Sequence, residues 1–558
     1  MTRSSLTAIA IVLTLPAFAQ APPPPPHIPA TIMFTEPQVY AGCSIPYGLS
    51  QNQQQQTGSG KGITLIGKIW YVDAINGKTP VAGGNGSRAA PWNSINGIVN
   101  FASPSGYSRP LLSTVPYSHV VAGKRVIVAD QIGNPPVKPG DTILLMNGNY
   151  GDVVVGAFNT EIVNSEFVIF KPMPGQTPQF SSLAVSRAKK FVFDGIKIQS
   201  VSNPIGNYGK GLVTVSDQGA SFPTSDIIFM NLDVSSADHA TVMTWSLPQW
   251  LNQVRNGISF VGSAGNGSNG EPNTTCITST RNHIHDVYQG QLLMANNSLV
   301  SYNEIDHFAA DGIDIGANNI EISHNSEHDN QGIDSNHEDA LQGQNGPRAA
   351  GIIFNKFSNI VIDSNLVIRR TDPNLQFSSY LQGFDFFDEE WSNMTITNNI
   401  IVSNSCHGMA ISSTHDSLIS HNTVVYDGTL PLANPGCPLL NMGIGGKTHE
   451  GPSSSNIKIS NNLVDQLSFG SFGDTDITAD NNMTNRPKGG FQYWDFKTGA
   501  QVWSAPVGTD ANGNVTPAAI IPNTELFTIW DPLHFKYNMS QLSSSPAFGK
   551  AGATPGVN

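Results

Sequence analysis

Two stretches of this chain follow the same order of residue types: NIVIDSNLVIRR at residues 359–370 and NMTITNNIIVSN at residues 393–404. Each contains a short alternating strand, then an asparagine, then a second apolar strand. The asparagine and the strand after it recur as RNHIHDV, YNEIDHF, HNTVVYD and NNLVDQL, and more weakly as HNSEHDN and NNMTNRP. The asparagines that anchor these copies are Asn282, Asn303, Asn325, Asn365, Asn399, Asn422, Asn462 and Asn482.

The spacing of the anchors predicts the fold. Successive anchors are separated by 21, 22, 40, 34, 23, 40 and 20 residues, and the longer intervals fit one repeat that carries an insertion. A unit of short strands and turns cannot bury its apolar face alone, whereas stacked units bury a continuous core. Asparagines at one turn position can stack into a hydrogen-bonded ladder. The repeat therefore predicts an all-β parallel β-helix, for which right-handed crossovers are the default.

The repeat resembles the right-handed parallel β-helix proteins of the pectate-lyase-like superfamily, over roughly residues 63–558. Segments typical of that group are YVDAINGK at the entry, PGDTILLMNGNY in the first coils and SSSPAFGKAG near the end. The resemblance implies the fold. It leaves the function open, because the superfamily contains lyases, hydrolases, epimerases and adhesins.

The composition and the N-terminus restrict the partners and the location. The 558 residues carry 28 Lys+Arg against 41 Asp+Glu, a net charge of −13, which argues against nucleic acid and anionic membrane surfaces as partners. The start, MTRSSLTAIAIVLTLPAFAQ, has the charged, apolar and small-residue parts of a secretory signal. No later stretch is apolar for the roughly 18 residues that a transmembrane helix needs. We therefore expect a protein without a transmembrane segment that is secreted, periplasmic or on the cell surface.

Low-complexity segments set the predicted boundaries. A proline run, APPPPPH, and a polar segment, SQNQQQQTGSGKG, indicate a tether before the folded sequence. The predicted regions are a signal peptide (1–19), a Pro/Gln-rich tether (20–62), an N-terminal cap with the first coils (63–185), the parallel β-helix (186–485) and C-terminal coils with a cap (486–558).

Export would permit disulfides, and the four cysteines allow three pairings. Cys406 with Cys437 is the simplest pair, and free buried cysteines are the alternative.

Unusual polar residues and long insertions concentrate between residues 306 and 450. Matching positions of successive coils align along one face of a solenoid, so polar coils with insertions indicate a groove. The candidate catalytic residues are His337, Asp339, Arg369, His407 and Lys447. The candidate substrate-binding residues are Asp311, Gln342, Arg370, Asp388 and Trp391. The candidate ligands of a calcium ion are Asp311, Asp314, Glu338 and Asp339.

The leading hypothesis is β-elimination on a polysaccharide that contains uronic acid. Elimination needs a cation to neutralise the substrate carboxylate, a base for the C5 proton and an acid for the leaving oxygen. Lys447 or His337 is the predicted base, and His407 is the predicted proton donor. Arg369 or Arg370 is the predicted carboxylate clamp, and a bound Ca²⁺ would assist it. The resemblance supports these residue types, because alginate- and chondroitin-type lyases of this fold use Lys/Arg pairs.

Hydrolysis is the main alternative. AADGIDI, NHEDALQ, SCHG and Lys447 resemble the polygalacturonase motifs Asn-Thr-Asp, Asp-Asp, Gly-His-Gly and Arg-Ile-Lys. This resemblance implies site roles for Asp311, Glu338, Asp339, His407 and Lys447. An inverting hydrolase would need two carboxyls about 6.5–9.5 Å apart with water between them, and Asp311 and Asp339 are the pair to mutate. Epimerisation at C5 and a non-catalytic carbohydrate-binding surface protein complete the alternatives. In a surface protein, the candidate residues would be scattered around the solenoid.

Overall fold

The chain folds into stacked coils, and most coils give one short strand to each of three sheets. The computed structural model describes residues 43, 67–115, 117–121, 124–128, 134–156, 161–200, 211–216, 223–261, 274–343, 354–377, 380–428, 441–447, 451–487, 489–503, 505–532 and 536–541. The predicted signal peptide lies outside these residues, as does the predicted tether apart from Cys43. Strands are numbered β1 to β44 along the chain.

Sheet A has 13 strands, all paired in parallel. One interior column passes through Ile322, Ile362, Ile396, Ile419 and Ile459, which are fully buried. The strands are β1 (Ile69–Val72), β4 (Thr142–Leu145), β7 (Ile162–Pro172), β10 (Ala188–Asp194), β13 (Thr224–Met230), β16 (Thr274–Thr280), β19 (Ser298–Ser301), β22 (Ile320–Ser323), β25 (Lys356–Asp363), β28 (Glu390–Thr397), β31 (Thr414–Ser420), β34 (Ser455–Ser460) and β37 (Thr475–Asp480).

Sheet B has 14 strands and is parallel apart from the pair of its last two strands, β41 (Gly508–Thr509) and β42 (Val515–Thr516). The other strands are β5 (Gly148–Asn149), β8 (Pro178–Phe180), β11 (Lys197–Gln199), β14 (Asp233–Ser235), β17 (His283–Val287), β20 (Glu304–Phe308), β23 (Ser326–His328), β26 (Leu366–Ile368), β29 (Ile400–Ser403), β32 (Thr423–Tyr426), β35 (Leu463–Val464) and β38 (Met483–Thr484).

Sheet C has 13 strands and carries the polar residues discussed below. It is parallel apart from the pair formed by β39 (Phe491–Asp495) and β40 (Ala500–Val502). The other strands are β6 (Asp152–Val155), β9 (Ser182–Ser186), β12 (Gly211–Ser216), β15 (Asn256–Val261), β18 (Gln291–Leu293), β21 (Ile313–Ile315), β24 (Glu338–Gly343), β27 (Leu381–Phe386), β30 (His407–Ile411), β33 (Asn441–Ile444) and β36 (Gln466–Phe469).

The remaining elements lie outside the three sheets. Two antiparallel hairpins and a few short helices are described. They are β2 (Tyr117–Val121) with β3 (Lys124–Val128), β43 (Phe527–Asp531) with β44 (Lys536–Gln541), a 3₁₀ turn (Pro80–Ala82), α1 (Asn96–Val99), α2 (His239–Val242), α3 (Leu247–Gln253) and α4 (Asn523–Leu526). Among the described residues, no helix is long and apolar enough to cross a membrane.

The predicted asparagine ladder is confirmed. All eight anchors are at most 2% exposed, and each Nδ2 donates to Oδ1 of the next anchor at 2.9–3.0 Å. The backbone N–H of each anchor donates to the same oxygen, so one side chain satisfies two buried donors of its neighbour. Asn482 extends the ladder to Asn514, which the repeat did not reveal. The 40-residue intervals are single coils with insertions, as the spacing predicted.

The ladder marks the turn between sheets A and B. The residue before each anchor has a φ of 55–58°, in the left-handed region, and the set includes side chains as large as those of Arg281 and Tyr302. A single left-handed residue reverses the direction of the chain sharply, and the ladder bonds hold it there because side chains other than glycine rarely adopt that conformation unaided.

A disulfide links Cys43 to Cys276, the third residue of β16. This bond corrects the alternative of free cysteines for both residues. Cys406 is also disulfide-bonded. Its predicted partner, Cys437, lies outside the described residues, so that pairing stays a prediction.

Candidate active site

The polar cluster predicted around NHEDALQ lies on sheet C. In the register of the sheet, Asp314 of β21 is followed by Gln342 of β24 and Asp385 of β27. Their neighbours Ile313, Leu341 and Phe384 belong to the buried core, so the polar row projects from the other face of the strands. The three residues form a continuous polar row on successive coils, and the groove itself stays a prediction.

Asp311 and Asp339 extend the row at its edge. The Oδ1 of Asp311 accepts a hydrogen bond from the backbone N–H of Asp339 at 3.0 Å. The carboxyls of Asp339 and Asp385 lie close enough for each acid to affect the pKa of the other. The structure therefore brings together carboxyl groups from three successive coils.

These carboxyl groups are almost completely buried. Asp314 and Asp339 are 0% exposed, Asp385 is 1% exposed and Asp311 is 5% exposed. Among the described residues, no donor reaches either oxygen of Asp314 or Asp385, or Oδ1 of Asp339. Since burial without a donor disfavours a charged carboxylate, these groups must either hold protons or share a cation.

Burial is also the main cause of the pKa shifts in the cluster. Burial and the nearby acids, acting against hydrogen bonds that lower the pKa, together raise the pKa of Asp311 and that of Asp339 to about 7. The pKa values of Asp314 and Asp385 lie well above the ordinary range for the same reason. Burial raises the pKa of Glu338 to about 8.

Two histidines lie at the exposed side of the cluster. The Nδ1 of His337 is 3.2 Å from Oδ2 of Asp339, and the side chain is 65% exposed. This hydrogen bond raises the pKa of His337 to about 9 against the effect of burial. Gln342 donates to the same Asp339 oxygen at 2.8 Å. His337 is therefore a cation at neutral pH.

His407 is the opposite case. Its Nδ1 lies 2.6 Å from Oε1 of Gln382 and 3.5 Å from Oδ2 of Asp385, both of which are acceptors. The proton of the neutral ring therefore belongs on Nδ1, which leaves the Nε2 lone pair available. Burial lowers the pKa of His407, and its side chain is still 41% exposed. The half-exposed ring of Phe387 packs against it with the centroids 5.0 Å apart, and offers a surface on which a sugar could stack.

An acid that sequence reasoning missed lies beneath the cluster. Glu327 of β23 occupies the column of Ile305 and Val367, which face the solenoid interior. Neither of its carboxyl oxygens has a donor in the part of the chain that the structure describes, and burial raises its pKa well above the ordinary range. A Cβ on Gly312 would lie 1.9 Å from Oε2 of Glu327, so only glycine fits there. The signal in the sequence is the Glu of HNSEHDN, which stands where other copies have an apolar residue.

The predicted arginines are not part of this cluster. Arg369 follows β26 on sheet B, is 2% exposed, and its Nε donates to Oδ2 of Asp427 at 2.6 Å. A buried guanidinium committed to a carboxylate cannot clamp a substrate, which corrects the predicted catalytic role. Arg370 donates to the backbone carbonyls of Asp372 and Pro373 on the same side of the molecule.

Two further predicted residues have different outcomes. Trp391, at the start of β28 on sheet A, is fully buried between Phe357 and Phe386, and its Nε1 donates to the carbonyl of Asp388. It presents no face to a sugar, which corrects its substrate-binding role. Lys447 is exposed just beyond β33, the neighbour of the His407 strand. Its role stays a prediction.

Candidate metal ligands gather elsewhere. Within the described part of the chain, three groups bring ligand atoms within 4.8 Å of one another, and all three involve sheet B histidines. The predicted calcium ligands on sheet C are not among them, and calcium binding stays a prediction.

The comparisons with known proteins concern the fold. The family model for a right handed beta helix region matches residues 256–444. No curated protein gives a significant match.

Three solved structures illustrate the similarity. A GH136 lacto-N-biosidase from Eubacterium ramulus is 12% identical with a TM-score of 0.37, and the alignment covers 77% of this chain and 69% of that one. The A-module of an Azotobacter vinelandii mannuronan C-5 epimerase is 13% identical, TM-score 0.34, covering 68% and 91%. A PL6 family polysaccharide lyase from Pseudopedobacter saltans is 12% identical, TM-score 0.34, covering 75% and 96%. At these values, none of them assigns a function. The family model, the three parallel sheets and the asparagine ladder identify the chain as a right-handed parallel β-helix protein.

Proposed function

We propose that this protein is a polysaccharide lyase that cleaves a uronate-containing polysaccharide by β-elimination at the sheet C cluster. One observation carries the proposal. His337 and His407 are both exposed at the cluster, and their surroundings move their pKa values in opposite directions. Two titratable groups whose pKa values are driven apart are suited to different tasks in one reaction, here a neutral base and a cation.

His407 is the base. With its proton on Nδ1, held by Gln382, the neutral ring offers Nε2 to the C5 proton of the substrate. The electron pair of that C–H bond forms the C4=C5 double bond, and the C4–O bond breaks. The leaving oxygen then takes the proton that His407 has removed. This assignment reverses the predicted role of His407, which was proton donor.

His337 supplies the positive charge that elimination requires. Its cation is hydrogen-bonded to Asp339 and 65% exposed, so a substrate carboxylate could pair with it. Neutralising that carboxylate makes the C5 proton more acidic. His337 thus replaces the predicted clamp of Arg369, which is committed to Asp427. Lys447, which is exposed one strand beyond His407, is a candidate for binding a neighbouring sugar of the substrate.

The carboxyls behind the histidines also fit a divalent cation. Asp314, Asp339 and Asp385 have oxygens without donors, and carboxylate oxygens are the ligands that Ca²⁺ prefers. A bound ion would supply further neutralisation of the substrate carboxylate. We expect secretion or exposure at the cell surface, consistent with a polymeric substrate.

Hydrolysis is the second candidate. It is favoured by the pKa values of Asp311 and Asp339, both raised to about 7, since a glycosidase needs one protonated and one ionised carboxyl near neutral pH. The burial of both groups argues for elimination, because a fully covered carboxyl cannot reach a glycosidic oxygen without movement of the chain around it.

The product distinguishes the two reactions. The purified protein would be incubated with a panel of uronate-containing polysaccharides, with and without EDTA. Elimination creates an unsaturated uronate that absorbs in the ultraviolet, whereas hydrolysis creates reducing ends without that absorbance. We expect both signals to rise together. Reducing ends alone would transfer the assignment to hydrolysis, and neither signal across the panel would refute both. Loss of activity with EDTA would report a metal requirement.

A further inference from the structure

The outer face of sheet B carries an ordered array of histidines and acids. In one column of the register, His285 of β17 is followed by Asp306 of β20 and His328 of β23. The next residues, Asp286, His307 and Asp329, all have φ of 49–58°, and this repeated left-handed kink gives the second column. Imidazoles and carboxylates alternate along and across the two columns.

Each sequential pair in this array is hydrogen-bonded. His285 Nδ1 lies 2.7 Å from Asp286, and His328 Nδ1 lies 2.7 Å from Asp329. His307 Nδ1 bonds to Asp306. These hydrogen bonds fix the orientation of each ring. In His307 they engage Nδ1, so Nε2 can contact a different partner.

Two insertions bring further ligands to His307. His239, the first residue of α2, has its ring centroid 4.6 Å from that of His307. Asp372, which follows β26, lies with Oδ2 3.4 Å from His307 Nε2. The ligand atoms of His239, His307 and Asp372 all lie within 4.8 Å of one another. At 3.4 Å, the contact between Asp372 and His307 is long for a hydrogen bond.

We propose that His239, His307 and Asp372 bind a divalent transition-metal ion of the zinc class. Two imidazoles and one carboxylate, with positions left for water, form a ligand set typical of such ions. A ligating histidine usually donates its other ring N–H to a carboxylate, which fixes the ring. Both histidines meet this condition, because Nδ1 of His307 bonds to Asp306 and Nδ1 of His239 lies 3.1 Å from Oδ2 of Asp286.

The ion would join two insertions to the solenoid. The segment with α2 and α3 and the segment after β26 already meet through Trp250 and Gln376, whose side chains are 3.3 Å apart. Phe377 packs on the buried group that contains Trp250 and Ile333. Ile333 immediately precedes the turn that leads to His337. The metal would therefore hold the two insertions against the solenoid, next to the segment that leads to His337 in the sheet C cluster. Its binding does not depend on which reaction the cluster performs.

The two other groups of possible ligands are less suitable. In the group of His283, Glu304 and Asp306, both Asp306 oxygens already accept from imidazoles. In the group of His239, His285 and Asp286, both imidazoles already contact one Asp286 oxygen, at 2.7 and 3.1 Å. These contacts satisfy the ligand atoms within the protein, whereas the group around Asp372 leaves Nε2 of His239 without a partner among the described residues.

Zinc binding tests the proposal. The purified chain, with any affinity tag removed, would be treated with a chelator, dialysed and titrated with Zn²⁺ by calorimetry, with Co²⁺ absorption as a check on imidazole ligation. We expect one tight equivalent of zinc. His239→Ala and Asp372→Asn each remove a proposed ligand and should weaken zinc binding by more than about 100-fold. Asp306→Asn changes only the residue that orients His307 and should weaken zinc binding by about 10- to 100-fold. Zinc should also raise the unfolding temperature of the native chain and not that of His239→Ala.

His415→Ala is the matched control, because His415 is a partly buried histidine of sheet A that bonds to Ser455 and belongs to none of the three groups. It should bind zinc like the native chain. No tight site in the native chain would overturn the proposal, as would affinity unchanged in both His239→Ala and Asp372→Asn. Asp372→Asn keeps the size of the side chain, so the test remains decisive if His239→Ala fails to fold.

Discussion

Sheets B and C carry the same residue types on the same coils, yet their charges are arranged in opposite ways. On sheet B, imidazoles separate the carboxylates, and hydrogen bonds from the rings offset burial and lower the pKa values of Asp286 and Asp306. On sheet C, carboxyls lie against one another, and burial raises the pKa values of Asp339 and Asp385. The partner of a buried acid, more than its burial, decides whether it is charged.

This contrast separates a structural array from a reactive one. The histidines and carboxylates of sheet B are paired with one another at neutral pH, so they are poor candidates for proton transfer. On sheet C, acids without donors lie behind two exposed histidines, and such perturbed groups concentrate at functional sites.

The largest expected effect is on the base of the sheet C cluster. His407→Gln removes the Nε2 lone pair and keeps a polar side chain of similar length. We expect kcat to fall about 1,000-fold, within the range for loss of a general base. His415→Gln, a change of the same kind outside the cluster, should leave kcat within about threefold. Initial rates of product formation on the best substrate of the panel measure both. Equal activity of the two variants would remove His407 from the mechanism.

The next effect is on stability. Asp306→Asn removes the carboxylate that accepts hydrogen bonds from both His283 and His307. Breaking a buried charge pair in this way costs about 3 kcal/mol, which equilibrium unfolding in urea would measure at pH 7. Asp339→Asn on sheet C removes an acid that burial already disfavours, so we expect a much smaller loss. A larger loss of stability in Asp339→Asn than in Asp306→Asn would contradict the contrast between the two sheets.

The third prediction concerns alkaline pH. Hydrogen bonds to acids raise the pKa of His285 and that of His328 to about 10, despite the opposing effect of burial. The stability they contribute is fully present below their unfolded-state pKa of about 6.5 and is lost as the pH rises towards 10. The free energy of unfolding should therefore fall between pH 7 and 10. In His285→Gln, the slope of the free energy of unfolding against pH should decrease by the equivalent of about one proton. A profile that is level up to pH 10 would contradict charged sheet B histidines.

The fourth prediction concerns the pH profile of activity. Activity should fall at alkaline pH as His337 loses its proton near its pKa of about 9. Asp339→Asn removes the hydrogen bond that is the main cause of this raised pKa, so the alkaline limb should move down by about two units towards the ordinary histidine value. An unchanged limb in Asp339→Asn would show that another group, such as Lys447, carries the cation.

The smallest effect is expected at Trp391. Trp391→Phe keeps an aromatic side chain in the core and loses one hydrogen bond to the carbonyl of Asp388. We expect a loss of about 1 kcal/mol of stability and no change in KM beyond about twofold. A large rise in KM with normal stability would restore a substrate-binding role for this residue.

The fold could be predicted from the sequence because the ladder asparagine recurs at the same turn of successive coils. Each anchor asparagine occupies an equivalent turn, so a repeated letter at a repeated spacing reports a repeated hydrogen bond. The disulfide of Cys43 spans 233 residues and leaves no such trace.

The site was readable only in part. NHEDALQ and SCHG were correctly placed near each other, because both lie on sheet C strands of nearby coils. Arg369 was misplaced, because the sequence does not show on which sheet a residue beside an insertion ends, nor that Asp427, 58 residues later, would bind it. The sheet B array had a signal that a comparison of the copies would reveal: HD, DH and HD at residues 285–286, 306–307 and 328–329.

The most direct test of the central claim is a nitrogen-15 NMR titration of the histidine rings. His337→Gln and His407→Gln variants would assign the two relevant signals among the 14 histidines. The account predicts that His407 titrates below the ordinary value of about 6.5, with its neutral form protonated on Nδ1, and that His337 titrates near 9. If both rings titrated together near the ordinary value, the cluster would not hold a neutral base beside a cation, and the proposed mechanism would be wrong.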